Sequence, residues 1–211
     1  MQQKGKGLCV QFGCGFSAPQ GWRNFDASPT LRFERLPLVG RLHTRNGNRF
    51  PENVEYGDIV KGLPLPNASC AAIYASHVLE HLSLEDFHTA LRNTFNLLQP
   101  GGLFRLVVPD LKTLARRYVD SHASDAASAF MRESSLGAES RSRKLTGFVR
   151  AWLGNSSHLW MWDLDSLTLE LRKTGFGDIR ACTCGDEEIF KDAEDPGRFI
   201  DSIAVQCRKP L

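Results

Sequence analysis

A glycine loop directly after the first apolar segment is the feature that most limits how this chain can fold. Residues 8–12, Leu-Cys-Val-Gln-Phe, are typical of a short buried strand, and Gly13-Cys14-Gly15 ends it. Asp26 follows at the end of a second strand-like run, residues 22–26. Glycines after a first strand let backbone N–H groups approach a ligand, and a carboxylate ending the second strand can bind ribose hydroxyls. The pattern predicts an adenosyl or nucleotide site, although a tight turn alone would also explain the glycines.

Strand-like and helix-like segments alternate along the rest of the chain. The clearest helix begins at a Ser83 cap and ends before the breaker Pro100-Gly101-Gly102; another follows Asp110, and a third covers residues 165–174 and ends at Gly175. This alternation predicts an α/β fold with a mostly parallel sheet covered on both faces. The seven predicted strands are residues 7–12, 22–26, 53–57, 71–75, 103–108, 176–183 and 200–207, the last two as a hairpin pair at one edge.

Size and composition restrict the class of protein. A chain of 211 residues with 42% hydrophobic and 24% charged residues suits one soluble domain, so we expect a single domain over residues 1–211. A net charge of +2 does not indicate a nucleic-acid partner, and no apolar run suits a membrane span or a signal peptide. Six scattered cysteines favour reduced thiols and a cytoplasmic location. Residues 121–160, rich in Ser and Ala with a basic run at 141–144, are expected to form an inserted lid or acceptor-binding segment.

Polar residues follow four of the predicted strands. The Gly13–Gly15 loop follows the first strand, Asp26 the second, Asp58-Ile59 the third and His77 the fourth. Ligands of an open parallel sheet bind outside the carboxyl ends of the strands, so we expect these residues to share one site. Asp26 would bind ribose hydroxyls, Asp58 would accept from an adenine amino group, and Ile59 would pack on the purine. His77 would border the end of the ligand that reacts.

Several segments of the chain together resemble a known family. They are Val10-Gln-Phe-Gly-Cys-Gly15, Gly21-Trp-Arg-Asn-Phe-Asp26, Gly62-Leu-Pro-Leu-Pro66, Ala75-Ser-His-Val-Leu-Glu-His-Leu82 and Leu98-Gln-Pro-Gly-Gly-Leu-Phe-Arg-Leu-Val-Val-Pro-Asp110. Their order and spacing resemble class I S-adenosylmethionine-dependent methyltransferases, and among these the small bacterial predicted methyltransferases similar to methyltransferase type 11. The resemblance covers about residues 7–111 well and extends weakly to residues 158–163.

The resemblance implies a Rossmann-like, doubly wound fold with a mostly parallel seven-stranded sheet and an antiparallel last strand. It also implies S-adenosyl-L-methionine as the cofactor, with the Gly13–Gly15 loop along its methionine part, Asp26 at the ribose and Asp58 at the adenine. Two positions depart from the family pattern. Gln11 stands where the family usually has an acidic residue or Asn, and Ala71 where it often has Asp. The amide of Gln11 can still hydrogen-bond the cofactor, but it cannot offset the positive sulfonium.

A dinucleotide is an alternative ligand for the same loop. Gly13-Cys-Gly-Phe-Ser-Ala18 also fits the Gly-x-Gly-x-x-Gly/Ala fingerprint, with Glu34 near the expected ribose spacing, which would indicate an NAD(P)-dependent oxidoreductase. Pro19 and Gly21 disfavour it, because the fingerprint needs the first turns of a helix there to bind a pyrophosphate. The short link from Gly15 to Asp26 itself requires a very short helix or a wide loop.

Two sequence patterns raise the question of a metal. His77-Val-Leu-Glu-His81 matches the inverted zinc-peptidase motif, but no long helix supports it, and hydrogen bonds at a strand-to-helix bend would explain Glu80 and His81 equally. Cys182-Thr-Cys184 lacks the spacing and the second pair of a zinc site. We therefore expect no metal site.

The acceptor side is predicted from the segment His158 to Asp163. Trp160, Trp162 and Asp163 combine aromatic walls with one polar group, as small-molecule pockets do. In the other interpretation the tryptophans belong to the core, and Asp163 or Asp165 caps the next helix. His77 and His158 are the candidate general bases for a hydroxyl acceptor.

These residues together predict an enzyme that moves a methyl group in line from S-adenosylmethionine to a small-molecule or glycan-linked acceptor. Gln11 and Ala71 keep a second hypothesis open, a binding protein that retains the fold without catalysis. The sequence does not predict the acceptor, the atom that is methylated or the oligomeric state.

Overall fold

The backbone forms one seven-stranded sheet with helices packed against it. The structure, a computed structural model, describes residues 7–36, 49–137 and 157–211. The strands are β1 (Leu8–Phe12), β2 (Arg23–Asp26), β3 (Val54–Tyr56), β4 (Cys70–Ser76), β5 (Leu98–Pro109), β6 (Gly177–Ala181) and β7 (Ser202–Arg208). The α-helices within the described ranges are α1 (Pro29–Glu34), α2 (Leu84–Leu97), α3 (Leu111–Asp120), α4 (Ala126–Glu133) and α5 (Leu164–Thr174). Short 3-10 helices cover Leu79–His81, Glu188–Phe190 and Pro196–Phe199.

The strand order is β3-β2-β1-β4-β5-β7-β6. β1 to β5 pair in parallel, whereas β7 runs antiparallel to both of its neighbours, β5 and β6. In the central register, Ala75 of β4 lies between Phe12 of β1 and Leu106 of β5. The predicted Rossmann-like sheet with an antiparallel last strand is confirmed, as is the predicted antiparallel pairing of the two closing strands.

Local sequence signals set the limits of the helices. The Ser83 hydroxyl accepts the Asp86 N–H and caps α2, and Gly175 ends α5 in the left-handed conformation, with φ at 108°. The largest boundary difference from the prediction is at the start of β5. β5 begins at Leu98, which pairs with Cys70, so Pro100-Gly101-Gly102 lies inside the strand instead of preceding it.

The connection from β1 to β2 is a wide loop. Residues 13–22, all of which the structure describes, contain no helix, although a parallel crossover usually carries one. A right-handed crossover from β1 to β2 would place its helix on the sheet face opposite α2. The loop therefore leaves that face to be covered by another part of the chain.

The two faces of the sheet are covered by different kinds of structure. Alternate residues of a strand point to opposite faces, so Ile73 and Tyr74 of β4 enter separate cores. The Ile73 core packs against α2 and α5 through Phe87 and Leu171. The Tyr74 core is covered by the irregular connection from β6 to β7, whose Phe190 ring lies 6.2 Å from that of Tyr74.

The predicted insertion at residues 121–160 is described only in part. It contains α4, which packs on α3 with the rings of Tyr118 and Phe130 5.5 Å apart. Residues 138–156, including the basic run at 141–144, lie outside the described residues, so the lid stays a prediction, as does the single domain over residues 1–211. In the part of the chain that the structure describes, no helix has the length and apolar character of a membrane span.

Candidate functional site

The predicted site residues follow four neighbouring strands at one edge of the sheet. Because β3, β2, β1 and β4 are adjacent and parallel, Asp58, Asp26, the Gly13–Gly15 loop and His77 come after them in that spatial order. The structure thus brings the four predicted segments to the same edge. This is the edge at which ligands of open α/β sheets bind.

The glycine loop is tied to the end of β2 by the Asp26 carboxylate. Asp26 Oδ2 accepts the Gly15 N–H at 2.9 Å, and Oδ1 accepts the Ser28 N–H at 2.7 Å. Gly13 (φ 63°) needs to lack a side chain, because a Cβ there would lie 2.1 Å from Val78 Cγ2. Gly15 (φ 54°) differs, since no described atom lies within 4 Å of the position of its Cβ. The space beside Gly15 is therefore open to a ligand.

Two buried side chains support this loop, that of Gln11 at the end of β1 and that of Cys14 within the loop itself. Gln11 is buried, and its Nε2 donates to the Ser17 carbonyl at 3.2 Å, while Oε1 has no hydrogen-bond partner among the described residues. The Cys14 side chain packs with Leu31. Burial, assisted by the nearby Asp26 charge, raises the pKa of the Cys14 thiol to about 12, so the sulfur stays protonated at neutral pH.

The segment after β3 forms a turn that the Asp58 side chain stabilises. Asp58 Oδ1 accepts the Val60 N–H at 3.0 Å, and Oδ2 lies 3.2 Å from Lys61 Nζ. Ile59 is buried in the main core, and its carbonyl accepts from the Asn93 amide at 2.7 Å. We therefore keep Asp58 as a residue of the open edge. Because the Ile59 side chain is buried in the core, its position does not support the predicted contact with a purine.

A cluster of three histidines surrounds one buried carboxylate after β4. Glu80, in the 3-10 helix Leu79–His81, is 1% exposed. Its Oε1 lies 3.3 Å from Nδ1 of His77, 4.0 Å from Nε2 of His81 and 4.0 Å from Nε2 of His158. Neither carboxylate oxygen has a hydrogen-bond partner among the described residues. The hydrogen bonds predicted at this bend are present on the Glu80 backbone carbonyl and on the His81 ring, which bonds to the Ser157 carbonyl, whereas the Glu80 carboxylate accepts none from the described residues.

The pKa values of the two rings predicted as bases shift in opposite directions. His77 Nε2 donates to the Arg198 carbonyl at 2.8 Å, so its remaining nitrogen, Nδ1, faces Glu80. Burial alone would lower the pKa of His77, but the contacts with Glu80 and with the Arg198 carbonyl outweigh it and raise the pKa. Burial lowers the pKa of His158, against the opposing charge of Glu80. His158 is therefore neutral at pH 7 and loses its proton more readily than His77 does.

A cleft of about 550 Å³ lies between α2 and α5 and contains both predicted acceptor tryptophans. Trp162 is buried against the Phe87 ring, 4.2 Å away, while Trp160 is 43% exposed. Asp163 accepts the Ser166 N–H at 2.8 Å as the cap of α5, so the capping interpretation describes its side chain. The cleft is lined by Leu84, His88, Arg92, Trp160, Trp162, Ser166, Glu170, Lys173 and Thr174.

A family model described as a methyltransferase domain matches residues 10–181 of the chain. The match includes the glycine loop, Asp26, Asp58 and the histidine cluster. No curated protein sequence matches the chain.

Solved methyltransferases share the fold at low sequence identity. A Thermotoga maritima protein, described as an S-adenosylmethionine-dependent methyltransferase and possible histamine N-methyltransferase, aligns with 98% of this chain and 84% of its own at 15% identity and a TM-score of 0.53. A Haloferax volcanii complex of the Trm112 methyltransferase activator with a methyltransferase aligns at 14% identity over 97% and 83%, with a TM-score of 0.50. A Haemonchus contortus phosphoethanolamine N-methyltransferase aligns with 100% of this chain and 50% of its own at 12% identity and a TM-score of 0.50.

Proposed function

Because the family model covers most of its length, the chain belongs to the methyltransferase domain family, and we propose that it transfers a methyl group from S-adenosylmethionine to a small-molecule or glycan-linked acceptor. The observation that carries this proposal is the open space beside Gly15, bordered by the Asp26 carboxylate. The other two segments of the edge, at Asp58 and His77, extend the site to either side.

The edge fits an adenosyl ligand better than a dinucleotide. A carboxylate has about four lone-pair sites, so Asp26 keeps acceptor capacity for ribose hydroxyls beyond its two backbone bonds. A pyrophosphate would need a helix that begins after β1, and residues 13–22, described throughout, form none. The geometry therefore supports the S-adenosylmethionine hypothesis over the NAD(P) hypothesis.

The residues of the chain would act mainly by orientation. Bound S-adenosylmethionine supplies an electrophilic methyl group on a sulfonium. Asp26 and Asp58 would hold its adenosyl part, and the Gly15 backbone would allow its methionine part to approach. Such alignment of two reactants can contribute about 7–11 kcal/mol to the barrier reduction. His158, neutral at pH 7, would accept a proton from a hydroxyl acceptor, which is typically worth 10²–10⁴-fold in rate.

For the acceptor we propose the cleft between α2 and α5. The exposed face of Trp160 offers a surface on which a sugar ring or another flat group can stack, and the His88–Glu170 pair, 2.8 Å apart, offers polar partners. The backbone N–H of Trp160 donates to the backbone carbonyl of Glu80, and this bond links the cleft to the histidine cluster. Labelled methyl transfer into fractions of a cell extract would identify the acceptor class, and Trp160→Ala should reduce the labelling.

Two glycine variants provide a matched test of the cofactor site. Gly15 and Gly21 both have positive φ, and no described atom lies within 4 Å of either Cβ position. Alanine therefore introduces similar backbone strain at both positions. Calorimetric titration with S-adenosylmethionine should show an affinity at least about tenfold weaker in Gly15→Ala, because the methyl enters the cofactor space. Gly21→Ala should bind as the wild type does; equal losses in both variants would refute this placement.

A further inference from the structure

The Glu80 carboxylate is a buried anion that the described part of the protein compensates incompletely. Its side chain is 1% exposed and accepts no hydrogen bond from the described residues. Buried charges in proteins are paired, hydrogen-bonded or bound to a metal ion, since an isolated buried carboxylate is strongly unfavourable. The ion-pair contact with His77 lies at Oε1. A carboxylate held in this way is a candidate ligand.

Two imidazole nitrogens face the same oxygen. His81 Nε2 and His158 Nε2 each lie 4.0 Å from Glu80 Oε1, and all three atoms are within 4.8 Å of one another. Nδ1 of His81 donates to the Ser157 carbonyl at 3.1 Å, so Nε2 carries the lone pair. Metal-binding histidines are oriented by the same type of outer hydrogen bond.

The chain builds this arrangement from two separate segments. The Leu159 and Trp160 N–H groups donate to the Glu80 carbonyl at 2.8 Å and 3.2 Å. These bonds hold His158 beside the 3-10 helix that carries Glu80 and His81. The edge-to-face contact of the His81 and His158 rings, with centroids 5.0 Å apart, fixes their relative orientation. The three side chains therefore converge through backbone contacts and ring packing.

We propose that Glu80, His81 and His158 bind a divalent transition-metal ion of the zinc type. Two imidazoles and one carboxylate form a ligand set that Zn²⁺ uses in proteins. Ligand atoms of a tetrahedral zinc site with bonds of about 2.0 Å are about 3.3 Å apart, so the two 4.0 Å pairs have to close by about 0.7 Å. This inference replaces the expectation, drawn from the sequence, that the chain has no metal site.

Three protein ligands leave one coordination position open, as in catalytic zinc sites. If the proposed function holds, that position takes the hydroxyl of the acceptor. The ion, which lowers the pKa of the bound oxygen, then replaces His158 as the group that promotes loss of the proton, because the lone pair of His158 is bound to the metal. The proton leaves to solvent, the oxygen forms a bond to the methyl carbon, and the carbon–sulfur bond breaks. The products are a methyl ether, S-adenosylhomocysteine and one proton. Only this role rests on the proposed function; the ion site does not.

The test is a zinc titration of the full chain after treatment with a chelator. Calorimetry should show one saturable Zn²⁺ site, and thermal unfolding should shift upward with zinc. Glu80→Gln and His158→Ala should each weaken zinc binding at least about 100-fold, since even outer-shell changes cost 10–100-fold. His122→Ala removes an exposed imidazole and should leave the affinity unchanged.

Cysteines are the competing zinc ligands, and cobalt separates them from the histidines. Burial raises the pKa of Cys182 to about 11, which disfavours the thiolate form. Co²⁺ bound by nitrogen and oxygen should show weak visible bands without the strong near-ultraviolet absorption of a thiolate. Cys184→Ser should leave the spectrum unchanged.

The proposal is overturned if zinc neither binds nor stabilises the wild type at up to millimolar concentration. It is also overturned if Glu80→Gln and His158→Ala both bind zinc like the wild type, or if Co²⁺ shows a thiolate band that Cys184→Ser abolishes. All of these titrations omit S-adenosylmethionine. Failure to bind the cofactor would therefore contradict the proposed function and leave the metal result intact, and the reverse holds as well.

Discussion

Arg105 and Glu80 are both buried charged residues, but their surroundings compensate the two charges to very different extents. Arg105, on β5, is 0% exposed and donates to Glu194 at 2.6 Å, to Asp186 at 2.5 Å and to Gln206. Its guanidinium also lies 4.7 Å from the centroid of the Phe190 ring. Glu80 is 1% exposed and accepts no hydrogen bond from the described residues.

The difference predicts which buried charge stabilises the fold and which is available to a ligand. The two carboxylate partners of Arg105, Asp186 and Glu194, come from the connection between β6 and β7, so its charge attaches that connection to the sheet face that has no β1–β2 helix. The backbone carbonyl of Glu80, and not its carboxylate, accepts the hydrogen bonds that hold Leu159 and Trp160 in place. Changes at Arg105 should therefore alter stability, whereas changes at Glu80 should alter binding.

Arg105→Met should produce the largest loss of stability. It leaves the Asp186 and Glu194 carboxylates without their buried partner, and breaking a buried pair in this way costs about 3–5 kcal/mol. Urea unfolding measures the change. Arg180→Met is the control, because Arg180 also pairs with Asp186, at 2.7 Å, but is exposed, and such pairs contribute about 0–1 kcal/mol. Similar losses in both variants would show that Arg105 has no special structural role.

Asp26→Asn should have the next largest effect, and on cofactor binding more than on stability. Asp26 is intermediate between Arg105 and Glu80, because each of its carboxylate oxygens accepts one backbone hydrogen bond and still has a free lone pair. Loss of the charge should weaken S-adenosylmethionine binding about 10- to 100-fold, as expected for hydrogen bonds to a charged group worth about 1.5–3 kcal/mol. Calorimetry is the measurement. The control is Asp178→Asn, since Asp178 lies on β6, the outermost strand on the side of the sheet opposite to β3. An unchanged affinity in Asp26→Asn would remove this carboxylate from the site.

The ion pairs of Arg105 should contribute to the pH dependence of stability in acid, because one of its partners is the Asp186 carboxylate. Burial by itself would raise the pKa of Asp186, but the bonds from Arg180 and Arg105 outweigh it and lower the pKa below the ordinary value. The folded state therefore binds this proton less readily than the unfolded chain, so the contribution is present above pH 4 and is lost as the pH falls through the folded pKa. Unfolding measured from pH 6 to pH 2 should show a shallower loss in Asp186→Asn. A curve parallel to the wild type would contradict this.

Glu80→Gln should have the smallest effect on stability. Without metal, removal of an incompletely compensated buried charge should leave the free energy of unfolding within about 1 kcal/mol of the wild type or above it. Urea unfolding in the presence of a chelator measures this. A loss as large as that of Arg105→Met would mean that Glu80 is a structural ion-pair partner of His77.

The strand ends of the site could be predicted from the sequence because each one is marked locally. Gly13 directly follows β1, Asp26 is the last residue of β2, and Gly57-Asp58 directly follows β3, so turn residues after short strand-like runs mark each strand end. Pro19 and Gly21 likewise disfavour a helix start after the loop, and the structure has no helix in residues 13–22.

The histidine cluster and the second sheet face could not be predicted, because both depend on contacts between distant segments. The pattern His77-Val-Leu-Glu-His81 signalled the chemistry, but only the backbone bonds to Glu80 bring His158 beside it. The connection of residues 182–201 covers the sheet without regular periodicity, so its sequence gives no sign of the face that it occupies. The burial of Glu80 follows from these contacts.

The most direct test of the account is a calorimetric titration of the wild-type chain with S-adenosylmethionine and, separately, with NAD and NADP. The account predicts one saturable site for S-adenosylmethionine, competition by S-adenosylhomocysteine and no heat from either dinucleotide. Absence of binding at millimolar S-adenosylmethionine, or saturation by NAD or NADP instead, would contradict it.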